Sequence, residues 1–117
     1  MPRNRRRRIG RERASSFVMI GRGMLLRVNE WKELSAAAKI IYIYLKAKFN
    51  GHNNGQIRLY YSELRGVKGI SSPSTISRAF QELEEKEWIE RTNLGGLYRR
   101  INEYGLTGRY DDHIIER

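Results

Sequence analysis

One helical segment, residues 71–83 with the sequence SSPSTISRAFQEL, constrains the fold more than any other part of the chain. Ser72 suits the N-cap position, where a hydroxyl accepts a hydrogen bond from the first helical turn, and Pro73 suits the first helical position. Apolar residues recur at the i, i+3, i+4 and i+7 spacing of one helix face: Ile76, Ala79, Phe80 and Leu83. The spacing predicts an amphipathic helix over residues 71–86 whose apolar stripe faces the core.

The opposite face of this predicted helix carries small hydroxyls, one Arg and one Gln in its first two and a half turns, and acids only later. Ser and Thr contact phosphates and base edges, Arg makes a forked contact to guanine, and Gln makes one to adenine. The pattern predicts that the N-terminal end of the helix enters the groove of a DNA duplex. Ser and Thr at a helix start also serve simply as caps, so that alternative stays open. The candidate recognition residues are Ser72, Ser74, Thr75, Ser77, Arg78 and Gln81.

The net charge of +10 over 117 residues predicts a polyanionic partner, for which nucleic acid is the first candidate and an anionic membrane surface the second. Residues 1–13, MPRNRRRRIGRER, contain seven of the 23 basic residues and one acid, for a net charge of +6. With so few apolar residues this segment is predicted to be a flexible basic arm, with bounds 1–16, that follows the DNA backbone or enters a minor groove. It could also bind RNA. Its cations are Arg3, Arg5, Arg6, Arg7, Arg8, Arg11 and Arg13.

Residues 35–51, SAAAKIIYIYLKAKFNG, predict the central helix of the fold, because their apolar stripe is broad. Ser35 is the expected N-cap, and Asn50 and Gly51 are the expected stop. Lys39, Lys46 and Lys48 are expected near the polar side of this helix. The lead-in at residues 17–34 is expected to start extended and to end in a helical turn after Asn29, with Trp31 and Leu34 packed on the domain.

The remaining segments predict short elements around two helices. A turn at Asn54 and Gly55 is followed by a short half-buried strand at residues 56–59, because apolar and polar residues alternate there, and by a short helix with Leu64 inward. Residues 93–96 predict a hairpin turn between two strands. The result is an α+β fold with a helix-turn-helix in its middle. Cations flanking the hairpin suit phosphate or minor-groove contacts. The candidate hairpin residues are Arg91, Asn93, Arg99 and Arg100.

Several functional classes find no support in the sequence. The chain has no cysteine, which excludes disulfides, thiolate metal sites and cysteine nucleophiles. His52 and His113 each lack a second ligand at helical spacing, and no phosphate-binding loop pattern is present. No apolar run approaches the roughly 18 residues of a membrane span. We therefore expect a cytoplasmic protein that is not an enzyme, has no cofactor or metal, and does not act in a membrane.

The ordered set of segments resembles winged helix-turn-helix DNA-binding domains, more narrowly those of phage and plasmid replication proteins and of small prokaryotic regulators. Four stretches carry the resemblance over about residues 31–107: LSAAAKIIYIYL, GHNNGQIRLYYSEL, GISSPSTISRAFQELEEKEWIER and GGLYRRINEYGLT. One departure lies after the recognition helix. Glu87 precedes Trp88, where members of the family usually have Gly before an aromatic residue, and this substitution could alter the exit of the helix.

The resemblance implies a three-helix core with a C-terminal β-hairpin wing at residues 17–110, followed by a tail at 111–117. It implies sequence-specific binding of double-stranded DNA. Replication proteins of this kind carry further domains, for which 117 residues leave no room, so a transcriptional regulator is favoured. The alternatives are a phage or plasmid replication or maintenance factor, and a protein-interaction or RNA-binding module. A homodimer is possible, through residues 17–34 or 108–117.

Overall fold

The computed structural model describes residues 17–70, 72–93 and 102–114. Within these ranges four α-helices precede an antiparallel pair of strands, which confirms the predicted α+β class. No described helix has the length and apolarity that crossing a membrane requires. The elements are α1 (Arg22–Arg27), α2 (Asn29–Lys32), α3 (Ala36–Lys48), a 3₁₀ helix (Tyr61–Leu64), α4 (Pro73–Glu85), β1 (Ile89–Asn93) and β2 (Glu103–Leu106).

Helix α3 begins where the sequence predicts and ends earlier than predicted. The Ser35 hydroxyl accepts a hydrogen bond from the Ala38 N–H at 3.1 Å, which confirms the N-cap. The helix stops at Lys48, two residues before Asn50. The Asn53 side chain explains the early stop: its amide donates to the Lys48 carbonyl and its oxygen accepts from the Asn50 N–H, both at 2.9 Å. This side chain thus satisfies backbone groups that a further turn would have used.

The expectation that Lys46 lies on the polar side of α3 is wrong. Lys46 is 5% exposed, and its ammonium donates to Asp111 Oδ2 at 2.8 Å, to the Met19 carbonyl at 2.6 Å and to the His113 carbonyl at 3.2 Å. An ammonium has three donors, so its capacity is filled. The segments before α1 and after β2 supply all three acceptors, and they cover this flank of the helix.

An aromatic cluster forms the centre of the core. Trp31, Tyr42 and Trp88 contact one another edge to face, with ring centroids 5.2–5.8 Å apart. The predicted burial of Trp31 and Leu34 is confirmed. Edge-to-face aromatic pairs add about 0.5–1.5 kcal/mol each beyond their buried area. The cluster therefore fixes the lead-in, α3 and the start of β1 against one another.

The lead-in contains a helix that the sequence did not suggest. Gly21 is the N-cap of α1 and Gly23 lies inside the helix, although glycine disfavours helix by about 1 kcal/mol. Met24, which is 6% exposed, joins the core. Tertiary burial of this one side chain offsets the poor local propensity. The predicted helical turn after Asn29 is confirmed as α2.

The segment between α3 and α4 follows the predicted alternation. Ile57 and Leu59 are buried and the residues between and before them are exposed. Ile57 pairs with Tyr104 of β2 through two backbone hydrogen bonds of 3.0 and 2.9 Å, an isolated bridge rather than a full strand. The short helix that follows is a 3₁₀ turn, and Leu64 is buried as expected.

Strands β1 and β2 are antiparallel, with Ile89 opposite Leu106 and an irregularity between Arg91 and Asn93. Residues 94–101, which include most of the predicted hairpin turn, lie outside the described ranges. The strand pair packs on the C-terminal half of α4, where Phe80 and Tyr104 stack with centroids 4.8 Å apart. It therefore borders the same helix that carries the candidate recognition residues.

Helix α4 ends in a Schellman motif without the usual glycine. The Trp88 N–H donates to the Leu83 carbonyl at 2.9 Å and the Glu87 N–H to the Glu84 carbonyl at 3.1 Å. Glu87 has a φ of 65°, the left-handed conformation that glycine adopts freely. Its carboxylate pairs with Arg109, and its carbonyl accepts from the Thr107 hydroxyl at 2.6 Å. Glu87 therefore ends α4 with the backbone geometry that a glycine at this position would give.

We expect Glu87→Gly to raise the free energy of unfolding by about 0.5–1 kcal/mol. Glycine removes the strain of a left-handed non-glycine backbone, which costs roughly 1–2 kcal/mol. The change also removes the exposed ion pair with Arg109, which contributes less than about 1 kcal/mol. Urea unfolding of the two proteins measures the difference. Glu85→Gly, two residues earlier in the last helical turn, is the matched control and should lose about 1 kcal/mol. Equal destabilisation by both changes would contradict the assignment of strain to Glu87.

Candidate nucleic-acid interface

The start of α4 is fixed by a small network of hydroxyl groups. The Ser72 hydroxyl accepts from the Thr75 N–H at 3.2 Å, and it lies 2.9 Å from the Thr75 hydroxyl and 3.2 Å from the Ser74 hydroxyl. Pro73 occupies the first turn, as predicted. Ser72 and Thr75 are half-buried and are used in capping. The capping interpretation therefore applies to Ser72 and Thr75, which position the helix. The exposed residues that follow are the stronger candidates for contact with DNA.

The predicted helix faces are confirmed. Ile76, Ala79, Phe80 and Leu83 are all buried. On the opposite side four side chains are exposed to solvent: Ser74, Ser77, Arg78 and Gln81. None of these recognition candidates packs against the protein interior or beneath another described segment. As far as the described ranges extend, this face is therefore uncovered.

Arg78 is uncommitted within the described part of the chain. Its Nε donates to the Ser74 carbonyl one turn earlier at a long 3.4 Å, and it forms no ion pair there. The side chains of Ser77 and Gln81 make no hydrogen bond to described residues. The terminal nitrogens of Arg78 keep their forked donor geometry for a ligand, which is the arrangement that recognises guanine or phosphate.

Two acids in the second half of α4, Glu82 and Glu84, contact the rest of the domain. Glu82 accepts from the Ser35 N–H at 2.8 Å and from its hydroxyl at 2.6 Å, which caps α3 and joins the two helices. Burial raises the pKa of Glu82, but the hydrogen bonds from Ser35 and the nearby Lys86 outweigh burial and hold the pKa below its usual value. Glu82 is therefore not part of a solvated face, whereas Glu85 is exposed. The described residues form no group of three or more metal ligands.

The strand residues predicted as contacts are partly occupied. Arg91 is exposed and pairs with Glu84 at 3.3 Å, and the Asn93 amide donates to Glu103 at 3.3 Å. Arg91 would have to exchange its carboxylate partner for a phosphate to bind DNA. Arg99 and Arg100 lie outside the described ranges, as do all the predicted arm residues: Arg3, Arg5, Arg6, Arg7, Arg8, Arg11 and Arg13.

Two cations beside α4 were missed at the level of sequence. Arg65 and Lys68 lie in the connection that leads into α4, both are exposed, and within the described residues neither forms an ion pair. With Tyr61, Pro73 and other residues they line a cleft of about 340 Å³ next to the helix start. The available signal was the pair of cations in the stretch LRGVKG, which joins the predicted short helix to α4. Their charge adds to the N-terminal end of α4, where acids are absent.

The tyrosines divide between core and surface. Tyr42 is fully buried and its hydroxyl donates to Asp111 at 2.5 Å, so it packs in the core. Tyr60 and Tyr61 are 43% and 51% exposed on the 3₁₀ helix and its cap. Tyr44 is half-buried, so Tyr60 and Tyr61 have the more exposed rings for stacking on single-stranded bases.

Comparison of the chain with family models, with curated proteins and with solved structures returned no match.

Proposed function

We propose that this chain is a sequence-specific double-stranded DNA-binding protein with a winged-helix fold, acting as a transcriptional regulator. One observation carries the proposal. The outward face of α4 presents the exposed Ser74, Ser77, Arg78 and Gln81 in its first two and a half turns, while the helix is buried only along its opposite stripe.

The dimensions of α4 suit a major groove. A helix with small side chains is about 10 Å across and the groove is about 12 Å wide. Ser74 and Ser77 keep the leading face thin, so that Arg78 and Gln81 can reach base edges. Long side chains at the two serine positions would hold the helix away from the bases.

Phosphate contacts come from cations outside the recognition face. Arg65 and Lys68 lie at the helix start, and residues 1–13 add a net charge of +6. Such contacts fix the protein on the duplex without reading its sequence. We assign base reading to Arg78 and Gln81, and backbone binding to these outer cations.

Two alternatives use the same surfaces differently. A phage or plasmid replication or maintenance factor would make the same duplex contacts in another process. An RNA-binding module is favoured only by the arginine-rich residues 1–13, since arginine-rich segments also bind RNA.

Competition binding separates the polymers. Fluorescence anisotropy with a labelled duplex, competed by unlabelled duplex DNA, single-stranded DNA and RNA at several salt concentrations, should rank the duplex first. A slope of log K against log salt near −0.9 per phosphate contacted is expected for the duplex. RNA competing as well as or better than duplex DNA would contradict the proposal.

A further inference from the structure

The outer face of α3 is apolar, and most of it is not covered by any described segment, although Ile40 packs partly against the core. Ala36, Ile43 and Ala47 are exposed, with Ile43 at 39%, and Ile40 is half-buried. At about 100° per residue these four side chains fall within about 60° of the helix circumference. They lie on the side turned away from the buried Ile41, which belongs to the face that packs on the core. We call these four residues the α3 seam.

The spacing of the α3 seam is that of a coiled-coil contact. Its residues recur at intervals of four, three and four, which keeps one stripe facing a partner helix. If two copies of α3 run antiparallel about a two-fold axis, Ala36 of one copy faces Ala47 of the other. Ile40 then faces Ile43. Each contact is then made twice, from one copy to the other and back, as an isologous interface requires.

We propose that the α3 seam binds the same surface of a second copy of this chain. The self-complementary order of the four residues is the reason for choosing a second copy over another partner. The inference does not depend on the proposed function, because the seam and the recognition face lie on different helices. Since α4 packs on the opposite, buried side of α3, the contact leaves Arg78 and Gln81 uncovered.

A segment beside α3 also exposes apolar surface. The Met19 carbonyl accepts from Lys46, and this places the lead-in against one flank of α3. Met19 is 40% exposed. Its side chain therefore adds exposed apolar area on a segment that flanks α3.

The size of the surface predicts a weak dimer. From Ala36 to Ala47 the helix is about 17 Å long and roughly 10 Å wide, so the seam and its neighbours bury a few hundred Å² on each copy. Stable dimers bury about 800 Å² on each side. We therefore expect a dissociation constant on the order of 10 µM.

Salt distinguishes this contact from DNA binding. Two copies each carry a charge of +10 and repel one another, so screening by salt should strengthen their association. Binding to phosphates weakens with salt, because the release of condensed cations from the DNA into a more concentrated salt solution is less favourable. Dimerisation and DNA binding should therefore respond to salt with opposite signs.

Sedimentation equilibrium of the full chain without DNA tests the proposal. Ile43→Glu should weaken self-association by at least about tenfold, a change of 1.4 kcal/mol. Tyr61→Glu, at a residue of similar exposure on the 3₁₀ helix, is the control and should leave association unchanged. Circular dichroism of each variant establishes that it remains folded.

A charge pair tests the antiparallel arrangement. Ala36→Lys with Ala47→Lys places like charges at both ends of the seam and should weaken association. Ala36→Glu with Ala47→Lys places opposite charges face to face and should preserve or strengthen it. Both positions are exposed in the single chain, so neither double variant should disturb folding.

Three outcomes would overturn the proposal. One is a chain that stays monomeric above about 100 µM, well beyond the expected dissociation constant, in high salt. Another is association that Ile43→Glu and the charge pairs leave unchanged. The third is a monomeric chain that sediments with phosphatidylserine vesicles and loses this property in Ile43→Glu, because the face would then bind lipid.

Discussion

Replacing Asp111 by alanine is expected to lower the free energy of unfolding by about 3–5 kcal/mol, because it leaves the buried ammonium of Lys46 without its counter-charge. The two side chains are 1–2% exposed and 2.8 Å apart. Tyr42 also loses the acceptor for its buried hydroxyl. A domain of this size has a total stability of about 5–15 kcal/mol, so the variant should retain little of it.

Urea unfolding of the full chain measures this loss. Asp112→Ala removes the same side chain at the next position, which is exposed, and is the matched control expected to change stability by less than about 0.5 kcal/mol. Replacing both partners, as Lys46→Met with Asp111→Leu, should cost much less than Asp111→Ala alone, because no charge remains buried. Similar losses for Asp111→Ala and Asp112→Ala would contradict the buried pair.

The same pair predicts a pH dependence. Burial raises the pKa of Asp111, but hydrogen bonds from Lys46, Tyr42 and the His113 N–H outweigh burial and hold the folded-state pKa below its usual value. The unfolded-state value is about 3.9. The stabilisation is therefore fully present above about pH 4 and is lost as the pH falls through the lower folded-state pKa. The stability gap between the native chain and Asp111→Ala should narrow in that acid range.

Removal of residues 1–13 is expected to produce the largest change in nucleic-acid binding. The deletion removes seven arginines and a net charge of +6. If most of these arginines neutralise phosphates, the slope of log K against log salt should become shallower by about 4–6, and affinity at low salt should fall roughly 100- to 1,000-fold. The loss should be the same for specific and random duplexes.

Fluorescence anisotropy at several salt concentrations checks this expectation. A chain of full length with Arg5, Arg6, Arg7 and Arg8 replaced by Gln is the control for the loss of mass, and it should reproduce most of the effect. Urea stability should not change in either protein, because the described core begins after this segment. An unchanged salt slope after the deletion would show that the segment does not contact phosphates.

Local signals predicted much of the fold and the faces of α4. Ser72, Pro73 and the apolar stripe fixed the start and orientation of this helix, because capping and 3.6-residue periodicity act within a few residues. The same holds for Ser35 at the start of α3. These features need no distant partner to be interpreted.

Long-range contacts account for what the sequence did not predict. Lys46 is buried because Asp111, 65 residues later, supplies its counter-charge, and no local pattern indicates that pairing. Helix α1 forms around two glycines because Met24 reaches the core. Glu82 caps α3 across 47 residues of chain, so its acid is not part of a solvated face.

Base reading by Arg78 is the central claim, and one comparison tests it most directly. Affinities of the native chain and of Arg78→Ala are measured by anisotropy on a duplex selected from a random pool and on a scrambled duplex. Arg65→Ala serves as the phosphate-contact control and should weaken both duplexes equally, with a salt slope shallower by about 1. Arg78→Ala should cost about 1–3 kcal/mol on the selected duplex and little on the scrambled one. Equal loss on both duplexes, or no loss on either, would contradict the claim.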